Sequence, residues 1–101
     1  MSRSFATLLV LSLMTASVFA QTPVRVACLG DSITYGDQLA DRATQAYPAV
    51  LERLSAGRFV VGNFGVNGTT ALPGIPFRSW IDTLACRDAL AFAPDVAVLM
   101  L

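Results

Sequence analysis

Histidine and lysine are both absent from this chain of 101 residues. Without imidazole the commonest general base and metal ligand is missing, and two cysteines with no histidine make no zinc pattern, so no metal is expected. Seven arginines balance seven acidic residues, and with no lysine there is no basic patch to hold nucleic acid or an anionic membrane surface. Phosphate loops are missing too: no G-x-G-x-x-G follows the first apolar run and no G-x-x-x-x-G-K-[ST] occurs. A nucleotide-binding domain thus loses its fingerprint, and no cofactor is expected. No unbroken apolar run reaches the roughly 20 residues of a membrane span.

What is present begins with a leader. Met1 to Ala20 carries one early cation, Arg3, then the apolar run Phe5 to Met14 broken by Thr7 and Ser12, then small residues ending Val18-Phe19-Ala20. That order reads as an export signal over residues 1–20, cut before Gln21, with an uncleaved anchor as the alternative. Gln21 rather than a cysteine stands just after the cut, so a lipid anchor is not expected, and the mature chain is expected in the periplasm or outside the cell with no stable membrane anchor. Residues 21–101 keep six arginines against seven acids, a net charge of −1. An oxidising compartment would permit a Cys28–Cys86 bond, but Cys28 sits within an apolar run, where a free thiol packs as a small hydrophobe. Two unpaired thiols are expected.

The mature chain is organised around Val24-Arg25-Val26-Ala27-Cys28-Leu29-Gly30-Asp31-Ser32-Ile33-Thr34-Tyr35-Gly36. The apolar half reads as a buried strand that stops at Gly30. A serine just past such a strand lies where open α/β sheets place their ligands, which makes Ser32 the candidate nucleophile; an ordinary Asp-Ser turn is the alternative. The polar stretch from Asp37 to Gln45 has no clear period and is left as a loop over the site. Tyr47 to Gly57 reads as a helix, with Pro48 in its first turn, Tyr47, Val50, Leu51 and Leu54 on one face and Gly57 as a left-handed stop. Arg58 to Phe64 is a second strand, Val66 to Pro76 a turn-rich loop, and Ser79 to Phe92 a second helix burying Trp80 or Ile81, Leu84 and Ala85. Pro94-Asp95 then precedes a third apolar strand, Val96 to Leu101. Strand, helix, strand, helix, strand with apolar strands predicts a parallel sheet with crossover helices. Three strands leave sheet edges and faces uncovered, so residues 21–101 are expected to be the front part of a longer domain.

Gly65 follows the second strand as Gly30 follows the first, and a glycine there lets backbone N–H groups come close to a developing oxyanion. On spacing alone Gly62, Gly65 and Gly68 are equally well turn glycines. Gly30-Asp31-Ser32-Ile33-Thr34 is not a G-x-S-x-G elbow, because Thr34 stands at the second glycine. Asn67-Gly68-Thr69 matches a glycosylation sequon, but Asn-Gly is also a favoured turn pair, and the turn is the expectation.

Gly30-Asp31-Ser32-Ile33-Thr34-Tyr35-Gly36 resembles the first signature block of the SGNH hydrolases, the GDSL esterase/lipase family. Asn63-Phe64-Gly65-Val66-Asn67-Gly68-Thr69-Thr70 is similar to the second block, and Pro94 to Leu101 resembles the strand leading to the third. The resemblance implies a flavodoxin-like α/β/α sandwich and hydrolysis of carboxylic esters through an acyl-serine. It implies Ser32 as nucleophile and oxyanion N–H donor, Gly65 as second donor, and Asp31 and Asn67 in support. The substrate it points to is a small-molecule or carbohydrate ester, acetyl or acyl groups on carbohydrate first. The family's third-block asparagine and its Asp-x-x-His are not among these residues. The 101 residues alone are therefore expected to be inactive, and a binding module without turnover on the same fold is the alternative function.

Overall fold

The computed structural model describes residues 21–74 and 78–101, so the leader expected over residues 1–20 lies outside the described residues. Three parallel strands form the main sheet: β1 (Val24–Gly30), β2 (Phe59–Gly65) and β5 (Val96–Met100), in the order β2-β1-β5. Val24 pairs with Phe59 through to Gly30 with Gly65, and Val26 with Val96 through to Gly30 with Met100. The first strand is thus central, and Val26, Ala27 and Cys28 are its buried heart. All three strands end at one edge, and the chain runs from β1 first to one side and later to the other. The carboxyl edge beside such a reversal is where open α/β sheets hold ligands.

Pairing register assigns the faces, because paired residues in a parallel sheet share a side. Ala27, Leu29, Gly62, Phe64, Ala97 and Leu99 share one face, which packs on α4 (Leu84–Phe92); Phe64 meets Phe92 edge to face with centroids 5.4 Å apart. Cys28, Val61 and Asn63 share the other face, under α1 (Ser32–Tyr35) and α3 (Tyr47–Leu54). Helices therefore lie on both faces of a parallel sheet, the α/β/α arrangement that the resemblance implies.

Where strand and helix were punctuated by Pro and Gly, the expected bounds match closely. α3 starts at Tyr47 with Pro48 in its first turn, and the chain leaves it through Gly57 at φ +84°. Its buried side differs from the expected stripe: Leu54 is exposed, Tyr47, Val50 and Leu51 are half-buried, and Ala46, Pro48 and Ser55 go deepest. Ser55 earns its depth by bonding: its hydroxyl donates to Glu52 O and accepts from Phe59 N–H, joining the helix end to β2.

Three expectations need correction. The polar stretch before Tyr47 contains a one-turn helix, α2 (Arg42–Gln45), held by a reciprocal cap in which Asp41 Oδ1 accepts from Ala43 N–H and Gln45 Oε1 from Asp41 N–H. The second long helix does not begin at Ser79. A 3₁₀ turn (Trp80–Asp82) comes first, and extended Thr83 separates it from α4. Its buried residues are Trp80 and Ala89, while Ile81 and Leu84 lie at the surface. Within the loop after β2, β3 (Thr69–Thr70) pairs in parallel with β4 (Arg78–Ser79).

Candidate active site

Gly30 ends β1 because nothing larger fits: a methyl there would overlap the Thr34 hydroxyl and the Met100 carbonyl of the adjacent strand. The chain then turns into α1 with Asp31 as its cap, Oδ1 accepting from Ile33 N–H at 3.0 Å. Ser32 is the first helical residue and is half-buried. Among the described residues its N–H finds no acceptor and its hydroxyl no partner. The turn closes at Gly36 in the left-handed region, φ +90°, with Gly36 and Asp37 N–H both donating to Ser32 O.

Thr34 anchors this turn from below. It is fully buried, and its hydroxyl lies 3.0 Å from the Tyr47 hydroxyl at the start of α3. Burial pushes the Cys28 thiol up, and the Tyr47 hydroxyl offsets part of that. Burial also raises the Tyr47 phenol, with the Thr34 hydrogen bond pulling the other way. Cys28 and Cys86 are both free thiols.

The exit of β2 reaches the same place. Gly65 lies so close to α1 that a methyl would overlap the backbone at Thr34 and Tyr35. Val66 N–H donates to Gly30 O, so parity turns the N–H groups of Val61, Asn63 and Gly65 to the open side of β2. Side chains take two of them: Glu52 Oε1 accepts from Val61 N–H at 2.9 Å, and Asn63 Oδ1 accepts from Gly65 N–H at 3.0 Å. The second donor expected from the sequence is therefore engaged. Asn63 does more with its other end, donating through Nδ2 to Thr34 O at 2.8 Å and Tyr35 O at 3.4 Å. Sequence reasoning gave Asn63 no role of its own; the signal was an amide inside an apolar strand.

Beyond β2 the chain turns at Asn67-Gly68, with Gly68 at φ +73° and its N–H without an acceptor among the described residues. Asn67 Nδ2 donates to Asp37 Oδ1 at 3.3 Å, bridging this turn to the one after α1. Arg42 clasps the same region, its guanidinium 3.8 Å over the Tyr35 ring and its Nε donating to Tyr35 O. The structure thus brings Asp31, Ser32, Gly65 and Asn67 to one end of the sheet. No imidazole joins them, since the chain has none.

Residues 28–101 match the GDSL-like lipase/acylhydrolase family. An acetylxylan esterase of Xylanibacter ruminicola is 44% identical over 78 residues, which cover 77% of this chain and 16% of that protein. The chain thus spans about one sixth of the length of that relative. No solved structure matches it.

Proposed function

Because the chain belongs to the GDSL-like lipase/acylhydrolase family, we propose that it contributes the nucleophile half of a serine esterase acting on acetyl or acyl esters of carbohydrate. The observation that carries this reading is Ser32: a half-buried residue two positions past the end of the central strand, its hydroxyl and N–H without partners among the described residues. Its Oγ attacks the ester carbonyl, the alcohol leaves, and water hydrolyses the acyl-serine. Ser32 N–H donates to the oxyanion, and the second donor comes from the β2 exit. Gly65 can serve once Asn63 Oδ1 lets go of it. Asp31 holds the turn through Ile33 N–H, and Asn67 ties it to the loop beyond β2.

A general base has to take the serine proton. With no histidine among these 101 residues, the base is supplied by residues outside them. The carbohydrate choice is supported by the name of the Xylanibacter ruminicola relative, and it agrees with the export leader read in residues 1–20. No helix among the described residues is long and apolar enough to cross a membrane.

The test is the full-length protein against Ser32→Ala, on p-nitrophenyl acetate and on acetylated xylan. Turnover should fall by about 10⁴-fold or more, as loss of a catalytic serine does elsewhere. Retained turnover in the variant removes Ser32 from the chemistry. Tight binding of acetylated xylan without turnover in the wild type would favour a binding module instead.

A further inference from the structure

The chain holds two asparagines, and the structure treats them in opposite ways. Asn63 is half-buried with both ends of its amide bonded, and the bulky Phe64 follows it. Asn67 is exposed, is followed by Gly68, and makes one long hydrogen bond, to Asp37. Gly68 N–H has no acceptor among the described residues. Gly68 is itself exposed, and a methyl built on it meets nothing within 4 Å. Glycine at φ +73° has the conformational freedom that a ring closing on its own nitrogen requires.

We propose that Asn67 is a deamidation site, and that its conversion severs the tie between the two turns beside Ser32. The Gly68 nitrogen bonds to the Asn67 side-chain carbonyl carbon and gives up its proton. The carbon–nitrogen bond of the side-chain amide breaks, and ammonia leaves with that proton. Solvent water then opens the five-membered imide to aspartate or isoaspartate, with no redox change. The product has a carboxylate where Asn67 had an N–H donor. Two carboxylates now face each other across the Asn67–Asp37 contact, and Asp37 N–H is one of the two donors on Ser32 O. Isoaspartate also lengthens the backbone of the turn. This site chemistry does not depend on Ser32 being a nucleophile.

The test incubates the folded full-length protein in mildly alkaline buffer and maps its peptides by mass, with isoaspartate detected by enzymatic methylation. The expected result is a gain of about 1 Da confined to the Asn67 peptide. Asn67 should convert more than about tenfold faster than Asn63, and Gly68→Ala should slow it by about tenfold. Asn67→Gln, which keeps the amide and the turn glycine, serves if Gly68→Ala fails to fold, and should abolish the signal. No conversion in the folded protein while the urea-unfolded chain reacts would overturn the proposal, as would equal rates at Asn63 and Asn67. For the severed tie, Asn67→Asp should melt lower than Asn67→Gln at neutral pH and low salt, and the gap should narrow as added salt screens the two carboxylates. A gap unchanged by salt overturns that part.

Discussion

An amide inside an apolar strand has to find partners for both of its ends, and Asn63 finds them in the turn that carries Ser32. Its carbonyl oxygen takes the edge-facing Gly65 N–H, and its nitrogen reaches the last carbonyls of α1. Removing the side chain leaves the Gly65 N–H and the Thr34 carbonyl short of partners, while Tyr35 O keeps Arg42 Nε. Asn63→Ala should therefore cost about 1–3 kcal/mol in urea unfolding of the full-length protein. The proposed esterase activity of the folded fraction should fall as well, because the Ser32 turn loses its clamp. A loss below about 0.5 kcal/mol, the level of an ordinary surface change, would show that the clamp holds little. At this scale the sequence was legible where residue type alone decides. Ser32 past an apolar run, Asp31 as a cap residue and Gly30 as a stop could all be read. The engaged Gly65 N–H could not, because it depends on which way strand parity turns that group, and parity follows from pairing register.

Elements were legible in proportion to their punctuation. β1, β2, β5 and α3 are bounded by glycine, proline or abrupt changes in polarity, and their positions follow. α2 has no apolar stripe; its cap of Asp41 and Gln45 holds it, so periodicity passes over it. The face of α4 was misread because the large aliphatic residues were given the core. Ala89 and Phe92 meet the sheet instead, and Leu84 and Leu90 are left at the surface. The contact of β1 with α1 and α3 runs through Cys28, Tyr47 and Thr34, and it makes a pH prediction. Burial holds the Cys28 thiol and the Tyr47 phenol above their ordinary values. The fold thus favours the neutral forms, a contribution fully present below the unfolded-state values and lost as pH rises through the raised folded ones. Thermal stability should decline above about pH 8.5, where a free thiol begins to ionise. Cys28→Ala should flatten the first part of that decline, although it lowers stability overall. Equal alkaline slopes for the two proteins would place the ionisation elsewhere.

For the whole molecule, what the strands bury and what they leave open are set by the same apolar composition. β1 is covered on both faces and both edges, whereas the α4 side of the sheet holds a hollow of about 440 Å³. Leu29, Trp80, Ala89, Leu90 and Leu99 line it, and Ser32 does not. Leu90 is 75% exposed and Leu99 66%, and β5 pairs with β1 alone among the described strands. An apolar face beside a strand with one open edge is a template for association. A domain of about 80 residues also has little core with which to offset that exposure. Residues 21–101 expressed alone should therefore bind a hydrophobic dye strongly, sediment as oligomers or aggregates, and show no turnover of p-nitrophenyl acetate. The full-length protein should bind little dye and turn the ester over. A monomeric, dye-silent preparation of residues 21–101 with a cooperative unfolding transition would show that the sheet is sufficient as it stands. Turnover by that preparation, lost in Ser32→Ala, would go further: the serine proton would then have a base other than histidine, and Asp31 and Asp37 would be the first carboxylates to replace.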